Sequence, residues 1–212
     1  MTLDTRNWRP ETGNAEGISS FQLPASRLKG FTLVETMIAV TILTLAIAGP
    51  LVTASRAIVA AQIARDQLIA NYLAQEGIEY VRAMRDDEYL SAYQVGGADV
   101  SATAWDNFLN GSDAASISHC QNSACMFDPS RAMGTGSGLS LTPCSGASCT
   151  PLYLSSGIYT EQSGNGTMTP FTRTVQAIAV SASDERIVST VSWTFHGTPY
   201  TVTVTDHLTP WQ

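Results

Sequence analysis

Five patterns of apolar and polar positions follow one another along the chain. Residues 1–30 are polar and irregular, carry Pro10 and Pro24, and end in the basic stretch Arg27-Leu28-Lys29-Gly30. From Phe31 to Ser55 almost every residue is apolar or small, and Glu35 is the only ionisable side chain. As a helix rising ~1.5 Å per residue, this run reaches roughly 37 Å, enough to cross a ~30 Å hydrocarbon layer. From residue 51 to about Arg85 the pattern becomes one-sided. Leu51, Val52, Ile58, Val59, Ile63, Leu68, Ile69, Tyr72, Leu73, Val81 and Met84 recur at three, four and seven, while Arg65, Asp66, Gln75, Glu76, Glu79 and Arg82 fill much of the rest. That periodicity predicts an amphipathic helix laid against a folded partner. Gly49-Pro50 interrupts the run, and the missing N–H and the ring clash predict a kink or local melting there.

After Asp86-Asp87-Glu88, read as a solvated helix end, residues 87–168 shift to Ser, Gly, Asn and Ala and are expected to be loop-rich. From residue 169 to 212 three runs alternate with period two: PFTRTVQAIAV, RIVSTVSWTFH and PYTVTVTDHL. Alternation of this kind predicts antiparallel strands with one wet face. The expected fold class is therefore α+β, a long N-terminal helix packed on a C-terminal antiparallel sheet. Its expected divisions are a leader over 1–30, the helix over 31–86 with 31–55 in the membrane, a loop region over 87–168 and the sheet over 169–212.

Charge narrows the functional classes. Only 14% of the 212 residues are charged, the net charge is −7, and Lys29 is the sole lysine. Nucleic-acid backbones are neutralised by clustered Lys and Arg, so direct nucleic-acid binding is not expected. Surface hydroxyls in place of charge suit an exported protein. Basic residues before the apolar run and mostly acidic ones after it place the N-terminus in the cytoplasm and the remainder outside. A cleaved secretory signal also begins with a basic segment and an apolar run, but its apolar core is shorter and ends in a small-residue cut site.

The stretch Lys29-Gly30-Phe31-Thr32-Leu33-Val34-Glu35, leading into the apolar helix, resembles the type III signal of type IV pilins and the pseudopilins of type II secretion systems. The resemblance implies cleavage after Gly30 by a membrane prepilin peptidase, which also methylates the new amine of Phe31, with Glu35 at the fifth mature position. A lone carboxylate in a bilayer costs a few kcal/mol and needs a partner or a proton. In that family the partner of Glu35 would be the Phe31 amine of a neighbouring subunit. Opposite charges ~4 Å apart attract by ~4 kcal/mol at an effective dielectric of 20, which favours one register of assembly. The segment AQEGIEYVRAMRD (residues 74–86) and the closing strands ending in Trp211 look most like minor pilins or pseudopilins of the V and I kinds. The leader is long for that family, and the expectation is of a translation start nearer Leu23.

Cys120-x4-Cys125 and Cys144-x4-Cys149 lie in the loop region. Four thiols allow three pairings; local bridges are preferred because each closes a small loop, although long-range bridges would restrict the unfolded chain more. A zinc site and a nucleophilic cysteine beside His119 are the competing readings. His119, His196 and His207 lack metal-ligand spacing, and His196 and His207 fall within the alternating runs. The sequons at Asn110 and Asn165 read as turns. Trp193, Trp211, Phe171 and Phe195 are assigned to the core. No metal, no cofactor and no catalysis are expected.

The resemblance implies a minor pilin in a type IV pilus-like filament, held in the inner membrane as a single-pass protein before assembly. Its partners would be other pilin subunits, the peptidase, and an assembly ATPase with its inner-membrane platform. A minor pseudopilin of type II secretion is the alternative within the family. A single-span, membrane-anchored binding module is the alternative outside it.

Overall fold

The computed structural model describes residues 30–111, 116–121, 123–130, 141–164 and 166–210. The first 29 residues, Asn165 and Trp211 lie outside them. Helix α1 runs over Leu33–Val95, and the chain divides into two units between Val52 and Thr53.

In the first unit every residue of α1 from Leu33 to Val52 is exposed. No inner face exists because apolar side chains occupy all sides of the helix. Helical structure continues through Gly49 and Pro50, so the local melting expected there does not occur. Proline removes one backbone hydrogen bond, and the turns on either side keep theirs.

The second unit is an α+β head. Its part of α1 buries Ala70, Leu73, Ala74, Gly77, Ile78, Val81 and Met84 along one stripe, and the same line continues through Glu88 and Ala92. The helix therefore does not end at Asp86-Asp87-Glu88. Acidic residues tolerate helix, and the run stops only at Gly96, whose φ of +75° suits glycine and whose N–H donates to the Ala92 carbonyl at 3.0 Å.

The stripe lies on a five-stranded antiparallel sheet. In chain order its strands are β1 (Ala124–Phe127), β2 (Leu141–Cys144), β6 (Thr172–Ser181), β7 (Asp184–Phe195) and β8 (Thr198–Leu208), and in space they run β2-β1-β6-β7-β8. At Gly77 the contact is close: a Cβ there would lie 2.3 Å from Ser189 Oγ and 3.1 Å from Val175 Cγ1. Glycine is what lets the helix backbone approach β6 and β7. A smaller sheet of β3 (Tyr153–Ser155), β4 (Ile158–Thr160) and β5 (Thr167–Met168) has the order β4-β3-β5.

The region expected to be loop-rich thus holds the end of α1, a second helix and five strands. Strands of two to four residues are too short for alternation to be visible in sequence. Helix α2 (Val100–Asn110) is capped by Asp99, whose carboxylate accepts from the Ala102 N–H at 3.0 Å. Its Trp105 indole donates to the Ala182 carbonyl at 2.9 Å, fixing α2 to the β6–β7 turn.

Two disulfides tie down this region. Cys120 pairs with Cys125 and Cys144 with Cys149, with Cα separations of 5.6 and 5.1 Å. Cys120 and Cys125 sit fully buried among Phe108, Ile117, Phe127, Leu141 and Val175. A second apolar cluster joins Ala70, Leu73, Leu152, Phe171, Val191 and Trp193.

Candidate functional site

The motif residues begin α1. Gly30 and Phe31 precede the helix, and Phe31 is 77% exposed. Thr32 is the cap: its hydroxyl accepts from the Glu35 N–H at 3.2 Å, and its carbonyl accepts from the Thr36 N–H at 3.1 Å. Glu35 occupies the third helical position, where the positive end of the helix dipole favours a carboxylate. The spacing Thr32-x-x-Glu35 is that of a capping box, a signal for the helix start that lies inside the processing motif.

Past Glu35, the segment's polar side chains answer to their own backbone. The hydroxyls of Thr36, Thr41 and Thr44 donate to the carbonyls of Leu33, Ile38 and Thr41 at 2.8, 2.8 and 2.9 Å. Met37, Ile38, Val40, Ile42, Leu43, Leu45 and Ile47 are each more than half exposed. The segment has the length and composition to cross a membrane. Chemically it offers one carboxylate and an apolar surface.

The head holds its polar groups differently. Arg173 of β6 is fully buried. Its Nη1 pairs with Glu76 of α1, its Nη2 donates to the Phe127 carbonyl of β1 at 3.4 Å, and its guanidinium lies 3.8 Å from the Phe127 ring centroid. Burial pushes the Arg173 pKa down, and Glu76 opposes that shift. Asp128, just past β1, is also buried; burial alone would raise its pKa, but the result is a lowered one. Donation from the Ser130 hydroxyl and N–H at 2.7 and 3.0 Å, Gln162 at 3.0 Å and Thr160 at 2.9 Å outweighs the burial. These bonds tie the end of β1 to the end of β4. Glu185 of β7 is 1% exposed, and burial, with Asp184 beside it, pushes its pKa up.

With all four sulfurs in disulfides, neither the zinc reading nor the nucleophilic cysteine has a thiolate to use. His119 and His196 are exposed, and His196 lies in the β7–β8 turn with φ +49° rather than on a strand. His207 Nδ1 lies 2.8 Å from Asp184 on the sheet surface. Phe171 and Trp193 are buried, Phe195 is partly so, and Tyr200 stacks on Trp193 with ring centroids 5.5 Å apart. Glu88, expected in solvent, is buried because it falls one turn beyond Met84 on the inner stripe. Among the described residues, no three His, Cys, Asp or Glu side chains converge as a metal site would require.

A family model described as the prokaryotic N-terminal methylation motif matches residues 26–49. No curated protein and no solved structure matches the chain. The matched residues take in Gly30, Phe31, Thr32 and Glu35 and most of the bare apolar helix. The chain therefore carries a type IV pilin-like prepilin signal, the kind that a prepilin peptidase processes, on a long apolar helix followed by an α+β head, an arrangement that supports a type IV pilin- or pseudopilin-like protein.

Proposed function

We propose that the chain is a minor pilin, a structural subunit of a type IV pilus-like filament. The observation that carries this reading is the match over residues 26–49, which centres on a helix whose apolar surface is fully exposed in the isolated subunit. Peptidase cleavage falls after Gly30 and the amine of Phe31 is methylated. The subunit waits in the inner membrane with its N-terminus cytoplasmic and its head outside, where an oxidising compartment suits two disulfides.

On assembly, driven by an ATPase and membrane platform encoded elsewhere, α1 exchanges lipid for the helices of other pilin subunits. Glu35 then meets the Phe31 amine of a neighbour, and the resulting head-to-tail contact extends without closing. The function is mechanical, with no catalysis, cofactor, metal or direct nucleic-acid contact. Intact mass of the protein from native filaments tests the reading. The expected species begins at N-methylated Phe31 and is four hydrogens lighter than the reduced chain; a species that retains residues 1–30 overturns it.

A further inference from the structure

Strand β8 forms one edge of the five-stranded sheet. It pairs with β7 over its whole length, Thr198 to Leu208, without a register shift, and among the described residues no strand pairs with its other side. A long regular edge presents a row of unpaired N–H and C=O groups, which proteins normally guard with lysines, prolines or bulges. The opposite edge, β2, is guarded: it has four residues and contains Pro143. From Tyr200 to Thr205, β8 has no charge, no proline and no bulge.

The apolar layer beneath the sheet is also incomplete at this edge. Val175 and Ala177 of β6, and Ile187 and Val191 of β7, are fully buried, whereas Tyr200, Val202 and Val204 of β8 remain half-buried. One more strand, ~4.8 Å away, would extend the layer over them.

The sequence of the edge identifies what fits. Thr201-Val202-Thr203-Val204-Thr205 reads the same in both directions. An antiparallel copy centred on Thr203 sets Val202 against Val204 on the inner face, and Thr201 against Thr205 and Thr203 against itself on the outer face. Thr203 already takes part in such a pair within the subunit: its hydroxyl lies 3.4 Å from that of Thr190 across β7. Like-with-like pairing across a two-fold axis is what an isologous interface requires. We propose that β8 is a self-complementary edge through which the heads of two copies join into one continuous sheet.

The pairing has a direction. Arg82 of α1 reaches Asp206 at 2.6 Å and Arg85 reaches the Thr209 carbonyl at 3.2 Å, while Ala70 and Leu73 cluster with Tyr200 and Val202. Within the head, α1 and β8 therefore run the same way. Two copies paired antiparallel through β8 carry their head helices in opposite directions, so the contact joins heads that do not lie side by side in one filament or one membrane. It is distinct from the head-to-tail contact of a filament and does not depend on it.

The test uses the full chain in detergent, prepared as two differently tagged populations. Thr203 is exposed, so Thr203→Lys and Thr203→Glu leave the core intact. Wild-type populations are expected to co-purify. When both populations carry Thr203→Lys, or both carry Thr203→Glu, like charges stand directly opposite each other, and co-purification should fall about fivefold. Mixing a Thr203→Lys population with a Thr203→Glu population should restore it, which also shows that both variants fold. Failure of wild-type populations to co-purify, or failure of the mixture to recover, overturns the proposal. So does equal co-purification in every combination, since association through the apolar helix is indifferent to residue 203.

Discussion

Two stretches of one helix, Leu33–Val52 and Ala70–Met84, are both rich in apolar residues, yet every residue of the first is exposed while the second buries its inner stripe. Apolar content does not separate them; its distribution around the helix does. The first is apolar on all sides and has no face to turn inward, so its burial needs lipid or other subunits. The second gathers Ala70, Ala74 and Gly77 on its buried stripe, with Gly77 against the sheet, and places Gln75, Glu79 and Arg82 elsewhere. One surface is completed by assembly, the other by folding.

The sharpest way to break this contrast is Glu35→Ala. If Glu35 serves assembly alone, incorporation into filaments should fall at least about tenfold while the melting temperature of the head stays unchanged. Filament counts and calorimetry read the two effects separately, and a fall in both would mean that the segment also serves folding.

In the head, Glu76→Ala removes the carboxylate paired with the buried Arg173, while Glu161 and Asp128 still act on its charge. Because Glu76 is 41% exposed, the expected loss is about 3 kcal/mol, at the low end for a broken buried pair. Urea denaturation of the full chain in detergent measures it, and cleavage after Gly30 should be unaffected. Gly77→Ala is a smaller perturbation. The new Cβ meets Ser189 and Val175, and overpacking minus the gain in helix propensity leaves about 1 kcal/mol of destabilisation.

Glu185→Gln should act in the opposite sense. The raised pKa of Glu185 means that the folded state binds its proton more tightly than the unfolded state does. Stability contributed by the protonated form is therefore complete below the ordinary carboxylate range and falls as pH rises through the folded pKa. The substitution removes that fall: at neutral pH the melting temperature should rise by roughly 3 °C, with no gain in acid. Asp128 has the reverse slope, its lowered pKa adding stability that is lost as pH drops.

What can be read from the sequence follows the reach of each interaction. The motif around Phe31, the apolar run and the three long alternating segments are local patterns, and the helix and strands β6, β7 and β8 lie where those patterns fall. The end of α1 is misplaced when the charge of Asp86-Asp87-Glu88 is weighed above their place on the helical stripe; the glycines at 96 and 97 are the truer signal. Arg173 as a core residue is hidden from sequence because its partner on α1 lies 97 positions away. The same distance effect conceals the Asp128 cluster, whose donors Thr160 and Gln162 come from another sheet and the turn after it. Thr32 is the exception, a short-range cap masked by the processing motif that contains it.

The threonines of the bare segment have one further consequence. Because Thr36, Thr41 and Thr44 fold their hydroxyls back onto the preceding turn, they bring no unmet polar demand to whatever surrounds them. Travel from one oily medium to another then leaves those bonds intact, so these hydroxyls add nothing to the cost of leaving either.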